Sequence, residues 1–294
     1  MKRGSASRTA EYMALFRALE SVRPRSRQLF YDPLAIHFIA PRYRLAVGLA
    51  RVPPMGAFLR AFIDWRWPGA RTSGVARTRF IDDIAVEALG SGIEQVVILG
   101  AGYDARAYRL PSMAQSVVFE VDHPDTSAAK QRLVQASLGV LPTHVRFVAI
   151  DFLFEPLPAK MDAAGFSSSR PTLFIWEGVT NYLSAAAVDV TLRWCAGAAP
   201  SSTVVFTYID RKVLDHPESF GDTRELLARL RAAGEQWTFG LEPSSLASYL
   251  IERGLLLKND LGATDYRARC FGLSSIRMRG YEFYRIATAQ VQQD

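Results

Sequence analysis

The chain has 294 residues, 49% hydrophobic and 22% charged, with a formal net charge of +6, a balance typical of a globular protein. No apolar run reaches the roughly 18 to 20 residues that span a bilayer, and no signal-peptide core follows the basic start MKRGSASR. Arg and Lys are too dispersed to track a phosphate backbone, so the expectation is a cytoplasmic protein with neither nucleic acid nor membrane as partner.

The first part of the chain reads as helices. TAEYMALFRALESV places Tyr12, Leu15, Phe16 and Leu19 on one stripe. DPLAIHFIA reads as a second helix, with Asp32 as N-cap and Pro33 at its first position. RTRFIDDIAVEAL supplies a third, and the pattern changes near residue 84. The expected division is a helical extension over 1–83 and an α/β domain over 84–294.

Strands and helices then alternate. QVVILG (95–100), SVVFEVD (116–122), VRFVAID (145–151), TLFIWEG (172–178) and STVVFTYI (202–209) read as strands, followed by GLLLKND (254–260) and YEFYRIATA (281–289). Helical patterns separate them, including SAAAVDVTLRWCAGAA and DTRELLARLRAAG, the latter with Asp222 and Glu225 at capping-box spacing. Strands apolar on both faces and joined by helices imply a doubly wound, mostly parallel seven-stranded sheet. ATDYRARCFGLSSIRMRG shows no helical period, so the last strand is expected to return antiparallel. Cys195 falls in a helical pattern and reads as a buried free thiol. With Cys270 as the only other cysteine, neither a disulfide nor a metal cluster is expected.

The first strand ends in Gly100-Ala101-Gly102-Tyr103-Asp104-Ala105, and Asp122 closes the next strand 22 residues after Gly100. A glycine turn after a strand, with an acid at that distance to take a ribose diol, reports a nucleoside cofactor. By itself it leaves a nicotinamide dinucleotide and S-adenosylmethionine both open. Acids close successive strands at Asp122, Asp151 and Glu177. Carboxylates suit a sulfonium and an ammonium and would repel a pyrophosphate, which favours S-adenosylmethionine.

In order along the chain, SRTAEYMALFRALE, YDPLA, ARTRFIDD, VVILGAGYDARAYRL, FEVDHP, the DF after the third strand and WEGVTNYL resemble the leucine carboxyl methyltransferase family. The resemblance runs from about Ser7 to the final strand. It implies a class I methyltransferase-like Rossmann fold under a helical N-terminal lid, with S-adenosylmethionine as cofactor. It also implies roles: Arg77 for the cofactor carboxylate, Gly100 and Gly102 for close backbone approach, and Asp122 for the ribose hydroxyls. Asp151 and Phe152 would meet the adenine, and Glu177 would hold the ammonium. Arg77 also reads as a surface arginine, and Asp151 as a turn cap before Pro156.

The expected reaction is O-methylation of a small-molecule hydroxyl or carboxyl group, as on a polyketide or other secondary metabolite. Tyr182 looks like the family tyrosine beside the transferred methyl, although a helix-face aromatic is its plain alternative. His216, after the fifth strand, is the candidate base for a hydroxyl acceptor, with an exposed loop histidine as the competing reading. The aromatic residues Phe58, Phe62, Trp65 and Trp67 suit a greasy acceptor or a packed lid core equally. Two other functions remain in view: methylation of a protein's C-terminal carboxylate, and NAD-dependent oxidoreduction, for which no hydride-transfer constellation stands out.

Overall fold

Five-residue apolar runs bounded by glycine, proline or an acid build the centre of this protein. The computed structural model describes residues 8–151, 155–221 and 223–292. Four helices come first: α1 (Arg8–Ser21), α2 (Pro41–Leu49), α3 (Pro53–Arg66) and α4 (Ala70–Gly90). There follow β1 (Gln95–Leu99), α5 (Arg106–Arg109), β2 (Val117–Asp122), α6 (Pro124–Leu138), β3 (Val145–Ala149), α7 (Leu157–Ala163), β4 (Thr172–Trp176) and α8 (Ala185–Ala196). The chain ends with β5 (Thr203–Ile209), α9 (Lys212–Asp215), α10 (Thr223–Ala232), α11 (Leu246–Ile251), β6 (Leu255–Leu261), α12 (Ala263–Phe271) and β7 (Tyr284–Val291).

The strands form one sheet in the order β3-β2-β1-β4-β5-β7-β6. β1 to β5 run parallel, and β7 enters antiparallel between β5 and β6. Alternate residues feed two cores, as the pleat requires. Val97, Leu99, Phe119 and Phe174 face α8 and α11 on one side, with Cys195 buried among them. Val96, Ile98, Val118 and Ile175 face Phe80, Ile81 and Ala85 of α4 on the other. Burial pushes the Cys195 thiol up, as expected of an inert core cysteine. β1, β4 and β5 are buried throughout, so their sequence is largely apolar, broken only by Gln95, Thr172, Thr203 and Thr207. β6 lies at the sheet edge, with exposed Lys258 and Asn259 on it.

All seven expected strands are present, including the reversed last one. Three local expectations need correction. Asp32 does cap, its Oδ1 accepting from Leu34 N at 3.1 Å and Ala35 N at 3.0 Å, but it caps a single 3-10 turn over Ala35–Phe38. Pro41 is the reason: it pushes Ala40 to an extended ψ of 152°, so no helix can continue through it. ATDYRARCFGLSSIRMRG was expected to be irregular yet begins with α12, whose start is fixed by Asp265 Oδ2 accepting from Gly262 N at 2.9 Å. Arg267 and Arg269 diluted its apolar period, but Arg267 is buried and pairs with Glu282 at 2.6 Å. The last strand starts at Tyr284 rather than Tyr281. Asp222 of the capping box lies outside the described residues, and α4 passes through residue 84 without a break.

The N-terminal helices rest on the glycine turn itself. Phe16, Leu19, Phe38 and Ile63 pack with Tyr103 and Ala105 in a third core, and the rings of Phe38 and Tyr103 stack 5.2 Å apart.

Candidate active site

The chain leaves β1 toward β2 and β3, then returns to lay β4 against the other side of β1. Strand order reverses there, which opens a crevice at the carboxyl ends of β1 and β4. The glycine turn fills one wall. Gly100 N and Ala101 N both donate to Val121 O, at 2.8 and 3.0 Å, so the turn is clipped onto β2. Gly102 N donates to Asp122 Oδ2 at 2.5 Å, and His123 N donates to Asp122 Oδ1 at 2.6 Å. Burial pushes the Asp122 carboxyl up, while those two N–H groups pull it partly back.

Gly100 has φ +65°, and a Cβ there would sit 2.5 Å from Val179 Cγ2. Gly100→Ala is expected to lose about 2 kcal/mol from left-handed strain and that contact together. Thermal denaturation measures it. Adding Val179→Ala should restore only the part due to the contact.

A buried ionic cluster forms the floor. Arg106, at the start of α5, reaches Asp82 at 2.8 Å, Asp104 at 2.5 Å and Glu177 at 2.8 Å. Arg77 of α4 holds the other Glu177 oxygen at 2.7 Å and lies 4.6 Å from the Tyr284 ring centre. Its Nη2 meets Met13 Sδ at 3.7 Å. Burial favours neutral carboxyls here, but the guanidiniums win: Arg106 holds Asp104 at about 2, and Arg106 with Arg77 lowers Glu177. Beneath the turn, Glu120 is fully buried against Lys130 at 2.8 Å and Tyr108 Oη at 2.9 Å.

The crevice opens into a cavity of about 2100 Å³. Its far chamber is walled by Tyr182, Phe220, Trp237, Tyr281 and Phe283. Trp237 is buried, and its Nε1 makes no hydrogen bond. Thr9 of α1 donates through Oγ1 and N to Glu235, linking the first helix to the segment after α10. Burial pushes the Tyr182 phenol up to about 12, so it stays a proton donor across neutral pH.

Arg77, Gly100, Gly102, Asp122, Asp151, Glu177 and Tyr182 all line this one cavity. His216 does not. It is exposed beyond α9, its Nδ1 3.7 Å from Glu218 Oε1, and a base must reach the proton it takes. Phe152 lies outside the described residues. Sequence reasoning missed Arg106, Asp104, Glu235 and Trp237. The first two stood in plain sight in GYDARAYR, where charge inside an apolar context signals a buried partner.

The profile of the leucine carboxyl methyltransferase family matches residues 10–196. The chain belongs to that family. A relative from Frankia alni, named as an S-adenosyl-L-methionine-dependent methyltransferase, is 34% identical over 268 residues, covering 86% of this chain and 82% of that one. One from Mycolicibacterium smegmatis is 44% identical over 162 residues, a match that spans 54% of this chain and 53% of the relative. Membership of the leucine carboxyl methyltransferase family makes the protein an S-adenosylmethionine-dependent methyltransferase. A solved methyltransferase structure from Thermobifida fusca shares the fold at 14% identity, with TM-score 0.61 over 99% of this chain and 97% of that one. A DUF574 family protein from Streptomyces avermitilis does so at 14% identity and TM-score 0.53, over 94% and 97%.

Proposed function

We propose that this methyltransferase transfers the methyl group of S-adenosylmethionine to a hydroxyl or carboxyl oxygen of a small apolar molecule, such as a polyketide. The observation that carries this reading is the continuity of the cavity, whose one lining joins the glycine turn to the aromatic side chains of Tyr182, Phe220, Trp237, Tyr281 and Phe283. The residues present fit the cofactor. A methionine zwitterion matches the Arg77–Glu177 pair end for end, each side chain exchanging one opposite charge for another. Asp122 keeps acceptor capacity for ribose hydroxyls beside the paired glycines, and Asp151 closes the same wall for the adenine.

When bound, S-adenosylmethionine supplies an electrophilic methyl on positively charged sulfur. The chain's part is to hold the acceptor oxygen in line and keep water out, a positioning effect that can be worth roughly 7–11 kcal/mol. The helices of residues 1–83 serve as the lid, with α1 sealed to the acceptor side through Thr9 and Glu235. Tyr182 offers a donor to the acceptor. A carboxylate acceptor is already ionised, whereas a hydroxyl acceptor needs a group to take its proton.

Transfer of a labelled methyl group to a panel of phenols, aliphatic alcohols and carboxylic acids tests this. Tyr182→Phe is expected to lower kcat about tenfold while S-adenosylhomocysteine affinity stays unchanged, the loss of one oriented hydrogen bond. Methylation of a protein C-terminal carboxylate with no small molecule turned over would overturn the reading.

A further inference from the structure

Helices α2 and α3 carry an apolar stripe that none of the described residues covers. Leu45, Leu49, Val52, Met55, Phe58, Phe62 and Trp65 recur every three or four residues, and all are exposed, Phe58 and Trp65 by 70% and 74%. The inward positions of the same hairpin, Val47, Gly56 and Ile63, are buried. The lid is therefore packed on one face, and the stripe is a second, outward one. Solvated apolar side chains in such a row mark a contact surface rather than ordinary surface scatter.

Charge says what covers it. Arg42, Arg44, Arg51 and Arg66 are exposed on this hairpin, and Arg60 is half-buried. Asp64 is the one acid between residues 41 and 67, and Arg71 holds it at 2.5 Å. A second copy would bring this arginine-rich face against itself, since a two-fold interface pairs each patch with its own image. An anionic bilayer surface complements both features: acyl chains take the apolar row and headgroups take the guanidiniums. Trp65 also suits the polar–apolar boundary, where indole rings concentrate.

We infer that the α2–α3 hairpin docks the enzyme reversibly on an anionic lipid surface. It is a peripheral contact: no helix among the described residues is long and apolar enough to cross a membrane. The contact departs from the expectation of no membrane partner, which considered spanning runs alone. Trp65 and Arg66 also line the cavity, so the docked face adjoins the chamber where an apolar acceptor would enter.

Sedimentation of the full chain with vesicles decides it, using phosphatidylglycerol mixed with phosphatidylcholine against phosphatidylcholine alone. Binding to the anionic vesicles is expected, weakened by salt and by neutral lipid. The double variant F58S/F62S, which replaces no cavity-lining residue, should weaken binding about tenfold or more, from the apolar area of two phenyl groups. Its melting temperature and S-adenosylhomocysteine affinity should match the parent's. Parent-level vesicle binding by the variant, or no binding by the parent, would overturn the inference. So would a concentration-dependent dimer lost in F58S/F62S without vesicle binding, which would mean a second copy covers the stripe. Cofactor affinity measured alongside keeps this result separate from the methyl-transfer reading.

Discussion

Arg106→Ala is expected to lower stability by about 3–5 kcal/mol at neutral pH, the range found when one partner of a buried ion pair is removed. For a chain of this size that corresponds to a melting temperature lower by roughly 10 °C. The guanidinium is fully committed: Nε to Asp82, Nη1 to Asp104 and Glu177, and Nη2 toward Thr78 O at 3.4 Å. Its side chain is 3% exposed. The three acids do not suffer alike. Asp82 keeps Arg109 at 2.7 Å and Glu177 keeps Arg77, but Asp104 loses its guanidinium partner and keeps the backbone N–H of residue 106 with the weaker influence of Lys130 and Arg17.

The pH dependence separates this cause from a simple packing defect. In the parent, Asp104 is held at about 2, below its ordinary value of 3.8. A depressed folded pKa gives stability that is fully present above 3.8 and lost only as pH falls through about 2. Without Arg106 the dominant influence on Asp104 is burial, which raises the pKa and reverses the sign: stability is then lost as pH rises. The deficit should therefore shrink as pH falls from neutral toward 3.8, read from denaturant midpoints. A deficit flat with pH would mean that lost contacts, not an exposed charge imbalance, are responsible. Arg106→Lys should restore little, since one ammonium cannot fork to three carboxylates.

These same residues show where sequence reasoning stops. β1, β4 and β5 were legible because a strand buried on both faces is mostly apolar, and Gly100, Glu177 and Asp210 mark its end. The glycine turn, Asp122 and Glu177 were legible for a related reason: their positions at strand ends place them in the crevice once the sheet is parallel. The segment after α10 carries no period, so nothing local announced that Glu235 and Trp237 would reach the cavity, 226 residues from Thr9 along the chain. His216 shows the converse failure. Its place after β5 gave the correct end of the sheet, but chain position does not say which way a loop side chain faces. Arg267 misled in another way, since a buried arginine on an apolar helix face looks like a break in the pattern until Glu282 is seen opposite.

Asp122→Asn carries the sharpest test of the cofactor site. It is expected to weaken S-adenosylhomocysteine binding roughly 10- to 100-fold, the worth of hydrogen bonds to a charged acceptor. The unliganded protein should change little in stability: the variant escapes the cost of ionising a buried carboxyl but leaves either the Gly102 or the His123 N–H without its acceptor. The folded pKa of Asp122 lies above 3.8, so ionising it costs stability as pH rises through that raised value, and the asparagine variant escapes this loss. Ligand binding runs the other way. Ribose hydroxyls donate to the ionised carboxylate, so affinity in the parent should fall as pH drops through the raised pKa, with a proton released on binding near that pH. In Asp122→Asn both the acid limb and the proton release should vanish, which calorimetry in buffers of different ionisation heat reads directly. Unchanged affinity in the variant would move the ribose away from Asp122, and with it the orientation of the whole cofactor in the crevice.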